Sequence, residues 1–301
     1  MNKMETKNLL REYQAPISII LAGVIIATAI YASRSQSGQA VSAGTTAQTQ
    51  SPLQESVTPS SGAVLPAVWG DLGARLVESG AIDSAAFKQL YQERGAFPAE
   101  YESLLSGRSN GALPMTEANA GYLLNLLWAL GLANKNAILD SGEMANPAYG
   151  GAGNFASTGG WTIARGNPMS HYSKHALITL TPQQQELVDR VSRGIYRPCC
   201  GNSTHFPDCN HGMAMLGLLE LMASQDTSEQ DMYKAALTVN AYWFPDAYKA
   251  IAAYLQQKGA DWRQVPAQKI LSADYSSAAG LQNIMSQIET PSGGGGGGCS
   301  V

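Results

Sequence analysis

The chain has 301 residues, 45% hydrophobic and only 14% charged, with a formal net charge of −4. Charge is low against the roughly 25% usual in soluble domains. No basic face is available to meet a phosphate backbone, which excludes nucleic acid as a partner.

Residues 1–14 carry Lys3, Lys7 and Arg11 and precede an uncharged apolar run from Ala15 to Ala32. That run is just long enough for a helix to cross a bilayer core of ~30 Å. With basic residues ahead and only Arg34 close behind, it predicts a single-pass membrane anchor at 15–32. The same rule puts residues 1–14 in the cytoplasm and the rest outside it. A signal peptide cut after Ala27-Thr28-Ala29 is the alternative, but the apolar run continues past that point. Residues 33–62 are rich in Ser, Thr and Gln, with Arg34 and Glu55 their only charges, and predict a disordered stalk.

From residue 63 to 290 the pattern predicts an all-α, compact multi-helix domain. Leu65, Val68, Trp69, Leu72 and Leu76 recur at helical spacing, and Gly80 offers a stop. Asp83 is placed to cap a second helix with Phe87, Leu90 and Tyr91. A short helix is expected over 98–105, then a loop over 107–114. Thr116 opens a strongly apolar helix containing Tyr122, Leu123, Leu126, Leu127, Trp128 and Leu130. Residues 133–180 are crowded with Asn, Gly, Ser and Pro; a loop this long is either functional or hides short elements. Thr181-Pro182 begins a helix to about Arg193, and Ser228 caps another that ends before Pro245. Residues 246–257 and 273–289 complete the helices. Residues 291–301 are a Gly-rich tail that reaches Cys299 near its end.

The chemistry gathers in one loop, Pro198 to Gly212, which holds three of the four cysteines and two of the four histidines. Thiolates and imidazoles are the preferred ligands of zinc, and thiolates those of copper(I) and other soft metals. Cys200 and Cys209 are the primary candidate ligands, with His205 and His211 completing the set and Cys199 as a substitute. Asp208 is placed to orient an imidazole. The apolar run after Gly212 predicts a helix with Asn210 as its N-cap, so Cys209 and His211 would sit at a helix N-terminus, which favours a thiolate. Gly150 to Gly160 could cover the loop.

A second use of the same residues is thiol–disulfide exchange, with Cys209 as nucleophile, Cys199 or Cys200 resolving, and Cys299 as a mobile thiol donor. A third is a structural disulfide from Cys199 or Cys200 to Cys209 in a surface binding module. No Gly-x-Ser-x-Gly, His-Glu-x-x-His, Cys-x-x-Cys or Walker pattern occurs. Gly151 to Ala156 matches the letters of a dinucleotide fingerprint but lacks a preceding strand and a suitably placed acid. His171 and His175 are four apart in a segment with little helical character. The expected function is therefore a membrane-anchored extracytoplasmic protein that binds or transfers a soft metal ion or metal-containing ligand, with no protein partner indicated.

Overall fold

Apolar side chains that recur on every face of a helix leave it nowhere to go but the interior, and two segments have this character. A computed structural model of the chain describes residues 52–288. In chain order its elements are helix α1 (Pro52–Val57), strand β1 (Ala63–Gly70), and helices α2 (Leu72–Ser79), α3 (Ser84–Glu93) and α4 (Ala99–Ser106). Strand β2 (Asn110–Met115) and helices α5 (Ala120–Ala133), α6 (Ala137–Ser141), α7 (Pro182–Arg193) and α8 (Asn210–Ser224) follow. The last elements are α9 (Glu229–Trp243), α10 (Pro245–Gln257), α11 (Ala267–Ile270), α12 (Ala273–Ser276) and α13 (Ala278–Gln287).

The two all-round apolar segments, α5 and α8, lie against each other at the centre. Gly131 of α5 and Gly217 of α8 set their spacing. A Cβ on Gly131 would lie 2.0 Å from the Met213 carbonyl oxygen, and one on Gly217 would lie 2.5 Å from that of Leu127. The backbones therefore meet directly, and Leu123, Leu126, Leu127, Leu130, Met213 and Leu216 close the core on either side. Each such side chain contributes about 1.5–3 kcal/mol by leaving water.

The domain is mostly helical, but the all-α expectation is corrected by a two-stranded antiparallel sheet. Strand β1 pairs with β2 in the register Ala63↔Met115, Val64↔Pro114, Val68↔Ala112 and Gly70↔Asn110, with an irregularity between Val64 and Val68. Leu65, Ala67 and Trp69 point into the core, while Val64, Pro66 and Val68 face out. Because the outward residues are also apolar, the period of two is hidden in the sequence, and a helical spacing can be read through the same letters. Pro66 interrupts any helix there. The outer edge of β1 is sealed by side chains: Gln225 accepts from the Val68 N–H and donates to its carbonyl, both at 2.8 Å. Thr227 donates to the Pro66 carbonyl at 3.1 Å. The free ladder of an edge strand is thereby closed to further pairing.

The membrane anchor and the extracytoplasmic placement built on it are also corrected. Among the described residues no helix is long and apolar enough to cross a membrane. The run at 15–32 lies outside the described residues, as do 33–51 of the expected stalk and the tail with Cys299. The end of the stalk is not a coil: α1 occupies Pro52–Val57, and Val57 packs with Tyr248, Ile251 and Leu255 of α10 in a second apolar cluster.

Local end signals position the remaining helices. Asp83 Oδ1 accepts from the N–H groups of Ala85 and Ala86 at the start of α3. Thr181 and Gln184 form a reciprocal capping box that starts α7. Ser228 accepts from the Asp231 N–H at the start of α9. The helix expected over 273–289 is broken at Ser277, whose hydroxyl accepts from Gly280 N and restarts the chain as α13.

Candidate metal centre

The segment from Gly194 to Cys209 has to turn back on itself to join α7 to α8. Backbone bonds fix the fold-back: Thr204 N donates to Ile195 O at 2.8 Å, His205 N to Ser192 O at 3.2 Å and Cys200 N to Arg197 O at 3.3 Å. Ala278, the first residue of α13, donates to Cys200 O at 2.9 Å. On the other side Ser157 N donates to Asp208 O at 3.2 Å, and Tyr149 and Phe155 pack their rings on Phe206. The Gly-rich segment around Gly151 to Ala156, with a 3₁₀ turn at Ala152–Asn154, thus meets this loop through Tyr149, Phe155 and Ser157.

This fold-back delivers Cys199 and Cys200 to the start of α8. Cys199 Sγ lies 3.6 Å from Cys209 Sγ and 4.0 Å from Cys200 Sγ. All three are free thiols, partly exposed. The ligand atoms of Cys199, Cys209 and His211 lie within 4.8 Å of one another, as do those of Cys200, Asp208 and Cys209. This Cys/His/Asp group could hold a metal ion. Cys209, not Asn210, is the N-cap of α8, its sulfur accepting from the Gly212 N–H at 3.4 Å. His211 is held from behind by Phe244 and Trp243, ring centroids 4.4 and 5.6 Å away.

Arg197 lies under this cluster with no solvent exposure. Its guanidinium occupies the space above Gly212, where a Cβ would lie 2.7 Å from Arg197 Cζ. Its Nη2 donates to Asp208 Oδ1 at 3.0 Å and to Phe206 O at 3.4 Å. Burial alone would depress the guanidinium, but Cys209, Cys200, Cys199 and Asp208 outweigh it and hold it above its ordinary value. Cys209 is pushed well below the usual thiol range, first by hydrogen bonds from Cys199 and Cys200, then by the Arg197 charge and His211 against the cost of burial. Cys199 is pushed up by its hydrogen bonds to Cys200 and Cys209 and by burial. Cys200 is lowered by its bond with Cys199, but Cys209 and burial outweigh that and leave it raised.

His205 is not brought to the thiols. Its Nε2 lies 2.7 Å from Asp189 Oδ1 and 2.8 Å from Arg193 Nη2, and its Nδ1 is 3.5 Å from Glu143 Oε1. Hydrogen bonds from Arg193 and then His205 hold the Asp189 carboxyl below its ordinary range. Asp208 does not orient an imidazole either, since Asn202 donates to its second oxygen at 2.8 Å while Arg197 takes the first. His171 and His175 form a separate pair, Nδ1 to Nε2 at 3.0 Å, with His171 Nε2 3.0 Å from Arg165 O.

The sequence reading passed over Arg197 and ranked Cys199 below Cys200. The signal for Arg197 was its position, a lone cation directly before Pro198-Cys199-Cys200 and after the apolar pair Ile195-Tyr196. Comparison of the chain with protein-family models, curated proteins and solved structures finds no match.

Proposed function

We propose that the protein binds, and hands on, a soft metal ion through Cys199, Cys200, Cys209 and His211. The observation that carries this reading is the sulfur spacing of 3.6 and 4.0 Å. A tetrahedral ion with metal–sulfur bonds of about 2.3 Å draws its sulfurs to about 3.8 Å apart. The thiols therefore stand close to where a zinc-like ion would place them, and copper(I) could use two or three of the same sulfurs. Partial exposure of the cysteines suits exchange of the ion with a second carrier. Among the described residues, five of the six buried atoms without a hydrogen-bond partner lie on this loop or on Ser157 bonded to it: Arg197 Nε and Nη1, Thr204 Oγ1, His205 Nδ1 and Ser157 Oγ, the sixth being Asn240 Oδ1. Such groups mark places where a further partner belongs.

The short Cys199–Cys209 separation also favours a second reading, thiol–disulfide exchange. The Cys209 thiolate would attack a substrate disulfide and release one substrate thiolate. Cys199 would then displace the second, leaving a Cys199–Cys209 disulfide and a reduced dithiol.

Metal analysis and a thiol count on the native protein separate these. Near one ion per chain, with loop thiols unreactive until a chelator is added, is the expected result. Metal-free protein whose loop thiols oxidise reversibly would move the assignment to exchange. Metal-free protein with no reactive loop thiol would sink both and leave a structural bridge. In the first case Cys209→Ser should lose most of its metal, whereas His171→Ala should keep it. Equal loading of the two variants would remove the proposed coordination.

A further inference from the structure

Arginine at a carboxylate normally uses its planar fork, two parallel N–H groups to two oxygens. Arg197 does not. Nη2 alone reaches Asp208 and Phe206 O, and both Nε and Nη1 are buried with no hydrogen-bond partner. Asp208 Oδ2, the oxygen the fork would have taken, is given to Asn202 instead. Three N–H bonds of a permanently charged group thus stand idle in the interior, one on Nε and two on Nη1. A buried charge in that condition is costly unless something negative compensates it.

The surroundings say what that compensation is. Gly212 leaves room for the guanidinium to lie on the first turn of α8, and the same residue's N–H is bonded to Cys209 Sγ. Cys209 Sγ is therefore bonded to the turn that the guanidinium covers, and Cys199 Sγ lies 3.6 Å from that sulfur. Loading a divalent ion with three thiolates leaves one surplus negative charge on the complex, in a place where water cannot fully screen it.

Resting on the metal-binding reading above, we propose that Arg197 is the built-in counter-charge of the loaded centre. It allows all three cysteines, rather than two, to bind a divalent ion of the zinc class as thiolates beside the neutral His211 imidazole. Arg197 is a positioning residue and does not touch the ion. Asp208 is its anchor and a competitor for its charge, not a ligand. Loading balances when the ion displaces every proton still carried by the three thiols to solvent, leaving one ion bound by three sulfurs and one nitrogen.

Cobalt(II) reports this directly, because the intensity of its sulfur-to-metal charge-transfer absorption grows with the number of cobalt–sulfur bonds. The full chain, stripped with chelator and reduced, is titrated with cobalt(II) and then with competing zinc. Wild type should give the three-thiolate intensity. Arg197→Met should lose about a third of that intensity and bind at least tenfold more weakly, and Arg197→Lys should recover most of both. A merely structural arginine would change the melting temperature of the metal-free protein without changing the spectrum per bound ion. Arg197→Met with wild-type intensity and affinity would overturn the proposal.

Asp208→Asn keeps the test decisive should Arg197→Met fail to fold. Removing the competing carboxylate should leave the intensity unchanged and tighten binding several-fold. Weaker binding with an altered spectrum would make Asp208 a ligand and overturn the counter-charge role. Wild type that takes up no cobalt would instead remove the metal reading itself, and this proposal with it.

Discussion

Helix α8 carries ionisable chemistry at two points, and the fold treats them in opposite ways. At its middle, Glu220 is fully buried and fully served. Asn134 donates to Oε2 at 2.9 Å and Asn136 to Oε1 at 2.6 Å. Both asparagines are themselves pinned, since Asn134 Oδ1 accepts from Ile178 N at 2.8 Å and Asn136 Oδ1 from Ile138 N at 2.9 Å. At its N-terminal end, Arg197 of the preceding loop packs against Gly212, equally buried, and keeps two nitrogens without partners in the loop that carries three free thiols. A closed network in which every one of these side chains has a partner ties α5, α8 and the chain at 178 together. An open one is where a ligand's charge can be received. The difference separates a bonded polar group on α8 from an incompletely bonded one packed against the first turn of that helix.

The largest expected effect tests the closed end. Glu220→Ala leaves two oriented amide donors buried without acceptors and opens a cavity, a loss on the order of 4 kcal/mol. Urea unfolding of the metal-free protein measures it. The folded fraction should still load metal at the other end of α8. A loss below about 1 kcal/mol would erase the distinction between the two ends.

A smaller effect sharpens the same contrast through pH. Burial raises the Glu220 carboxyl well above its ordinary value of 4.5, offset in part by Asn134 and Asn136. Below 4.5 the folded and unfolded chains both carry the proton, and the contribution of this group is at its fullest. As pH rises past 4.5 the unfolded chain ionises first, so stability declines until the folded carboxyl ionises as well. Glu220→Gln should flatten this decline in unfolding curves taken from pH 4 to 8. A variant profile parallel to wild type would show that the carboxyl is not the source.

The smallest effect concerns Cys299. Helix α13 starts at the Cys200 carbonyl and runs about 15 Å. The eleven Cα–Cα steps from Ile288 to Cys299 span at most about 38 Å, enough to return to the thiols. Cys299→Ser should leave stability and metal stoichiometry unchanged and slow transfer to an acceptor. Peptide mapping after mild oxidation should recover a link from Cys299 to Cys199, Cys200 or Cys209 within one chain. Unchanged transfer and no such link would leave the tail thiol outside the centre.

What the sequence determined by itself is what short-range chemistry decides. Asp83, Thr181-Pro182 and Ser228 announce helix starts because a cap is satisfied within three residues. The apolar runs of α5 and α8 declare themselves central because no face of either can meet water. The crowding of thiols and imidazoles into 198–212 marks the candidate centre with no structure needed. Only the tertiary structure decided the rest. Ala63 to Gly70 became a strand because β2, some forty residues on, supplied its ladder, and an eight-residue apolar run carries no local sign of that partner. His211 joined the thiols and His205 did not, because a fold-back sealed by Ile195, Ser192 and Ala278 sets the direction of each side chain. Spacing along a loop cannot specify direction. The role proposed for Arg197 rests on burial, on the missing Cβ of Gly212 and on Asn202 claiming the second oxygen of Asp208. These are distances between residues far from one another in local backbone geometry, and they exist only once the chain has closed on itself.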